Sequence, residues 1–466
     1  MPDHILFLTG KLAEKSLRKV LAGMQPADFT YAVQQIGISV AGLMTADLIQ
    51  RRLTDIGGAQ RILVPGRTRG DMEALARHYG VPVLRGPEEL KDLPQYFGRR
   101  GTLPDLSRYD VRIFAEIVDA PQSSIDTILA RAAYYKKCGA DVIDLGCLPE
   151  TPFPHLEEAV IALREAGYRV SVDSAEPDDL LRGGRAGADY LLSLKEDTLW
   201  IADEVAAVPV LIPAEAGDLA SLERGMATLA GSGRAFIADA ILDPIHFGFT
   251  ESIVRYRDLR QRFPQAEIMM GVGNLTELTD ADTGGINAML MGIISELNIT
   301  NILTTEVSPH ARRAVREADA ARRMMYAARE ANSLPRDFSA ALLVLHERKP
   351  FPYSADEIGE FARDVKDPSF RVQISEDGIH VYNRDGLATA ADPFDLYPGL
   401  KLEHDGSHAF YMGVELARAQ IAWQLGKRYT QDQELKWGCA VEAKEDDKAA
   451  YSVPGSTLRR EVDEQK

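Results

Sequence analysis

Two short runs, GADVIDLG at 139–146 and YRVSVDS at 168–174, decide the fold. Each packs Val, Ile and Leu into a strand-length segment, as a strand buried on both faces requires. Working outward, the same kind of run recurs as VRIFAEIVDAP (111–121), ADYLLSL (188–194), VPVLIP (208–213), RAFIADAILDP (234–244), AEIMMGVGN (266–274) and ITNILTTEVS (299–308). Helical stretches such as IDTILARAAYYKKC (125–138) and HLEEAVIALREAG (155–167) separate most of them. Eight such strands predict an α/β fold, a (β/α)8 barrel over residues 106–333, with a doubly wound open sheet as the competing architecture.

The flanks read differently. HILFLTGKLAEKSLRKVL (4–21) and QRILVPGRTRGDMEALARHYGVPVL (60–84) alternate strands and helices, which predicts a small doubly wound, Rossmann-like domain over 1–105. Its LTG (8–10) and VPGRTRGD (64–71) turns are either anion sites at helix N-termini or ordinary connections; neither carries a complete phosphate-loop motif. Beyond the boundary at ANSLPRDFSAALL (331–343), FRVQISEDGIHVYNRD (370–385) reads as a hairpin turning at Asp377-Gly378. The stretch at 408–429 reads as a helix, giving a C-terminal α+β domain over 334–440. Residues 441–466 are polar and expected to form a flexible tail.

Composition narrows the function classes. A formal net charge of −17 argues against general nucleic-acid or anionic-membrane binding. No apolar stretch reaches membrane-spanning length and no signal peptide is evident, so a cytoplasmic protein is expected. Cys138, Cys147 and Cys439 are scattered without metal spacing, which fits a reducing compartment and no structural zinc.

In a barrel, function gathers where strands end and βα loops begin. Those positions carry Glu116, Asp119, Asp144, Asp173, Ser193, Asp243, Asn274 and Glu306. Any one strand-end carboxylate can simply cap a loop. Several at one mouth repel one another unless a ligand with multiple N–H donors, or a metal, relieves them. Without an HxH, HExxH or clustered acidic metal motif at the strand ends, no metal is expected, and an N–H-rich heterocycle such as a pterin or guanine fits best. Asp243, in ILDPIHFGF (241–249), is read as a strand-end acceptor held by Pro244, with Gly248 allowing close approach.

Taken in order, GADVIDLG, VSVDS (170–174), AILDPIHFGF (240–249) and MMGVGN (269–274) resemble the pterin-binding barrel family of dihydropteroate synthases and methyltetrahydrofolate-binding methyltransferases. The resemblance covers residues 110–330. It implies that Asp243 and Asp173 accept hydrogen bonds from a reduced pterin and that Asn274 faces its reactive edge. Glu116, Asp119, Asp144 and Ser193 would line the same mouth. The synthase's lysine after strand seven and its arginine and histidine after strand eight are absent, so the second-substrate half of the site looks changed.

A narrower match over nearly the whole chain, carried by residues 271–325 and by the LTG (8–10) and VPGRTRGD (64–71) turns, resembles the dihydropteroate synthase-related proteins of methanogens and methylotrophs, whose occurrence follows tetrahydromethanopterin. It implies a transferase joining 6-hydroxymethyl-dihydropterin diphosphate to a ribofuranosyl-aminobenzene phosphate, with Mg²⁺ carried in by the diphosphate. A non-catalytic pterin carrier or a methyltransferase component are the alternatives. Glu277, Asp282 and His246 are the candidate catalytic groups; Glu277, Asp280 and Asp282 read equally as a solvated loop and helix cap. His408, Tyr411, Gly413 and Glu415 resemble a segment found with a corrinoid-binding methyltransferase subunit, which implies a methyl-transfer or cofactor-biosynthesis partner; a locally packed helix is the other reading. The family's habit of pairing implies a homodimer.

Overall fold

The computed structural model describes residues 3–25, 27–88, 90–98, 105–148 and 151–442. The tail expected at 441–466 lies, from residue 443 on, outside the described residues. The chain divides into two compact units: residues 1–103 with 345–436, and residues 104–344 with Trp437–Glu442. The segments read as separate at 1–105 and 334–440 thus fall largely in one unit. No helix among the described residues is long and apolar enough to cross a membrane.

In the first unit, β1 (Asp3–Thr9), β2 (Phe29–Gln35), β3 (Arg61–Val64) and β4 (Val83–Arg85) form a parallel sheet in the order β2-β1-β3-β4. Apolar residues lie on both of its faces: Leu17 and Leu21 pack with Ile5 and Phe7, whereas Ile49 and Leu75 pack with Leu6 and Leu8.

The second unit is a closed barrel. Its parallel strands are β5 (Arg112–Ile117), β6 (Val142–Gly146), β7 (Arg169–Asp173), β8 (Tyr190–Leu194), β9 (Val208–Leu211), β10 (Ile237–Asp239), β11 (Glu267–Gly271) and β12 (Asn301–Thr305). They are the eight segments expected from sequence, and closure between β12 and β5 rules out the open sheet. Phe114, Val142, Tyr190, Leu192, Val210, Ile237 and Met269 fill the interior. The alternate residues, such as Ile113, Ile143 and Ala238, pack outward against the helices. The helix Ile125–Cys138 shows the local logic: Ser124 accepts from the Thr127 N–H at 3.3 Å, and Gly139 stops the helix in a left-handed conformation at φ 109°.

The chain returns to this unit late. The Cys439 N–H donates to the Ala341 carbonyl at 2.8 Å, and Arg313 Nε donates to the Ala440 carbonyl at 3.4 Å. A cut after residue 335 would therefore remove part of the barrel unit as well as the C-terminal segment.

The C-terminal segment of the first unit adds β13 (Arg371–Ser375), β14 (Gly378–Asn383) and β15 (Gly386–Ala390), an antiparallel sheet in sequence order. Here the expected turn is shifted by one residue. Ser375 pairs with Gly378, so Glu376 and Asp377 form the turn and Gly378 belongs to β14. Gly378 is required by β15: a Cβ there would lie 2.9 Å from the Ala390 carbonyl oxygen.

The helix Gly406–Leu425 follows. Its Glu415 is buried and accepts from Tyr429 Oη at 2.6 Å, the Asp432 N–H at 3.1 Å and Arg418 at 2.9 Å. Tyr411 donates to Asp432 at 2.6 Å, and exposed His408 pairs with Asp405 at 2.7 Å. Tyr411 and Glu415 thus hold the loop that follows the helix.

Candidate functional site

Side-chain alternation carries the barrel interior up to its mouth. Glu116 stands two residues beyond Phe114, Asp144 two beyond Val142, and Asp239 two beyond Ile237, so each continues an apolar interior column. Glu116 is register partner to Asp144, and Asp144 to Ser171. Asp173 ends β7 one interior position above Ser171. Carboxylate oxygens of Glu116, Asp144 and Asp173 lie within 4.8 Å of one another.

This cluster is held by neutral donors. Ser171 donates to Oδ1 of Asp144, and Ser193 donates to Oδ1 of Asp173 at 2.5 Å. Ser193 reaches Asp173 because β8 is irregular there: the β8–β9 register shifts between Leu191 and Leu194, and Ser193 takes φ 72°. Oδ2 of Asp144 is buried without a hydrogen-bond partner. An unpartnered carboxylate oxygen inside a protein is costly and leaves the site short of donors.

Electrostatics follow. Burial, reinforced by Asp173 and Glu277, pushes the Glu116 carboxyl up to about 7. Burial also drives Asp144 well above the usual carboxylate range, with Asp173 and Glu116 adding to the shift. Asp173 is raised by burial against the opposing Ser193 hydrogen bond. Oxygen-rich and hard, the triad is the one group of three among the described residues able to share a metal ion. The expectation of no metal motif rested on short spacing. These three carboxylates come from three different strands, and only barrel closure gathers them.

The stretch ILDPIHFGF (241–249) behaves differently from its sequence reading. β10 ends at Asp239, four residues before Asp243. Asp239 is therefore the strand-end carboxylate. It accepts from Tyr256 Oη at 2.5 Å and the Ile241 N–H at 2.7 Å, and burial pushes it up to about 6. Asp243 lies in the following turn and pairs with Arg255 at 2.6 Å, both side chains mostly buried. Arg255 also donates to the Ile241 carbonyl at 2.9 Å. Asp243 is thus a turn-fixing partner of a cation, with part of its acceptor capacity already taken. Gly248 at φ 120° permits this, since a Cβ there would stand 2.9 Å from Oδ2 of Asp243.

The other expected residues divide similarly. Asn274 donates to the Leu242 carbonyl at 2.7 Å and so ties the end of β11 to the turn after β10. Both oxygens of Glu277 accept backbone N–H groups, from Val307 at 2.9 Å and Ser308 at 2.7 Å. Asp282 is exposed at the N-cap of the helix Thr283–Glu296 and makes no side-chain capping bond. His246 is exposed with φ 70°, beside Phe247, which is 82% exposed. Asp119 is exposed before the short turn Ala120–Gln122. Glu306 is pushed by burial up to about 7 and accepts from the Val315 N–H at 3.2 Å.

Asp239, Ser171 and Arg255 were missed by sequence reasoning. Period-two spacing from Ile237 marks Asp239 as inward-facing, but the apolar Ala240–Leu242 makes the strand seem to continue.

Gly146 supplies a test of the cluster. A Cβ at Gly146 would meet Oε1 of Glu116 at 2.5 Å. Gly146→Ala should therefore displace Glu116 and return its titration toward about 4.3, the ordinary value for Glu, as followed by carboxyl NMR. An unchanged Glu116 titration in a folded variant would contradict this placement.

Comparisons with known proteins give the following. Residues 3–88 match a family of unknown function (DUF6513). An uncharacterized protein of Methanocaldococcus jannaschii is 27% identical over 522 aligned positions, covering 92% of this chain and 98% of that protein. Among solved structures, the chain is similar to 7,8-dihydropteroate synthase from Vibrio fischeri at 14% identity and a TM-score of 0.39, covering 48% of this chain and 94% of that one. The dihydropteroate synthase of Yersinia pestis in a sulfonamide drug complex gives 15% identity and a TM-score of 0.38, covering 49% and 96%.

Proposed function

We propose that the barrel mouth binds a reduced pterin and that the protein is a dihydropteroate synthase-like transferase of tetrahydromethanopterin metabolism. One observation carries the binding reading: Glu116, Asp144 and Asp173 form a buried carboxyl cluster in which Oδ2 of Asp144 has no hydrogen-bond partner. The aminopyrimidine edge of a pterin offers adjacent N–H donors, which match carboxylates as a guanidinium does. The motif resemblance at GADVIDLG and VSVDS supports the same ligand, and it is the support for the tetrahydromethanopterin assignment. In the reaction, an aryl amine displaces diphosphate from the pterin's 6-hydroxymethyl carbon, forming a C–N bond and losing the amine proton. Asp173, Asp144 and Glu116 would orient the ring; Mg²⁺ would enter as part of the diphosphate substrate.

A second reading, pterin binding without catalysis, is favoured by a different observation. Glu277 is spent on two backbone N–H groups, Arg255 is tied to Asp243, and Arg313 contacts Tyr134 at 3.0 Å and Ala440. A diphosphate leaving group needs positive charge that these residues do not offer.

Mass spectrometry decides between them: incubation with 6-hydroxymethyl-dihydropterin diphosphate, ribofuranosyl-aminobenzene phosphate and Mg²⁺ should give the condensed pterin. Absence of product from protein that binds 6-hydroxymethyl-dihydropterin calorimetrically would favour the carrier. Absence of both would reject the pterin assignment.

Binding should also depend on pH. Below about 7 Glu116 takes up a proton and loses acceptor capacity, so pterin affinity is expected to fall there. Stability of the ligand-free protein runs the other way. The raised groups bind protons more readily folded than unfolded, so their contribution is present below the ordinary carboxylate range. It is lost as pH rises through about 6 for Asp239 and about 7 for Glu116. Glu116→Gln should flatten both profiles between pH 5 and 8 (roughly the interval bracketing these values); an unaltered profile would remove Glu116 from the linkage.

A further inference from the structure

The strand order β2-β1-β3-β4 has a topological switch point between β1 and β3. The helix Glu14–Gly23 packs on one face of the sheet; the helices Ala46–Arg52 and Met72–Tyr79 pack on the other. In open parallel sheets the connections that part at such a point leave a crevice beyond the strands' carboxyl ends, where ligands bind.

A cavity of about 380 Å³ lies there, lined by Thr9 at the end of β1, by Pro65, Gly66 and Arg67 after β3, and by Gly86 after β4. This volume falls within the roughly 300–1,000 Å³ of small-molecule sites. Tyr353, Phe361 and Tyr382 of the same unit give it aromatic walls.

Its chemistry is two-sided. Arg67 donates one N–H to the Gln431 carbonyl at 3.1 Å and has further donors to offer, with the acidic Glu88 and Asp364 on the same lining setting the side a phosphate must avoid. A more polar cleft of about 930 Å³ shares Tyr353, Phe361 and Asp364 with the cavity. There Arg428 pairs with Asp92 at 2.9 Å and Glu357 is committed to capping at Ser354. Lys15, Lys19, Lys349, Arg363 and Arg428 stand against Asp92, Glu357, Glu360 and Asp364 on the cleft lining, a slight cationic excess.

We propose that this switch-point cavity binds a phosphorylated planar heterocycle of the mononucleotide class. The ring lies against the aromatic wall and the phosphate meets Arg67, the cation on this cavity's lining that also follows β3. The site is independent of the barrel mouth.

Fluorescence titration of full-length protein with flavin mononucleotide, and calorimetry with adenosine monophosphate, test this against riboflavin, adenosine and inorganic phosphate. At least one mononucleotide should bind saturably, about tenfold or more tighter than its dephosphorylated form, the scale of a charged hydrogen bond. Hydrogen exchange should slow at residues 8–16 and 64–67. Ala41→Trp, which fills the cavity, should abolish binding; should that variant fail to fold, Arg67→Gln should weaken mononucleotide binding by a similar factor while leaving the dephosphorylated form's affinity unchanged. No binding by either mononucleotide, protection confined to the barrel, or full affinity in the folded variants would overturn the proposal.

Discussion

Arg322→Met is expected to destabilise the barrel unit by about 3–5 kcal/mol, the scale for removing one partner from a buried charged network. Arg322 is only 2% exposed, on the helix Ala314–Glu330. Its guanidinium bonds Asp319 at 2.7 Å, the Gly139 carbonyl at 2.7 Å, the Val111 carbonyl at 2.5 Å and the Asp141 carboxylate. The ring of Tyr109 covers it at 3.6 Å. Asp141 in turn accepts the Ile113 N–H at 2.9 Å, so one arginine couples the last barrel helix to the starts of β5 and β6. Methionine would keep much of the volume and strand two carboxylates and two carbonyls. Lysine cannot reproduce the planar fork and should recover only part of the loss. Equilibrium urea unfolding checks this, and a loss below about 1 kcal/mol, the scale of an exposed pair, would show that the network is solvated.

Asp173→Asn is expected to move two properties in opposite directions. Pterin affinity should drop by about 1.5–3 kcal/mol, the range for a hydrogen bond to a charged partner. Stability of the ligand-free protein should rise, because a carboxylate whose charge burial disfavours becomes a neutral amide of the same shape. Such opposition is the mark of a site that gives up stability for binding. Calorimetric titration and thermal unfolding of the same preparation measure both. If the variant bound 6-hydroxymethyl-dihydropterin as well as the parent does, Asp173 would be removed from the ligand contacts. If it were less stable than the parent, the raised carboxyl of Asp173 would need another cause.

The comparison of Asp243 with Asp239 shows where sequence reading reaches its limit. Both follow apolar residues in RAFIADAILDP, and a motif resemblance selects the second. Strand length decides otherwise, because β10 keeps barrel pairing for only three residues and then turns. Asp243 consequently lies outside the strand, opposite Arg255. That arginine is 12 residues away in sequence, and no local pattern couples the two.

What the sequence determined by itself is the set of eight barrel strands, together with Glu116, Asp144 and Asp173 near their ends. Buried parallel strands must be short and apolar, and a carboxylate that ends such a run is visible as an interruption. Tertiary structure alone decided which of these carboxylates meet. Closing β12 on β5 and carrying β6 and β7 beside it brings three residues from three strands within 4.8 Å. The irregular backbone at Ser193 turns a hydroxyl onto Asp173, and burial then raises the proton affinity of the whole group. Convergence, local backbone reversal and desolvation are properties of packed surfaces, so they become readable only once distant strands lie side by side.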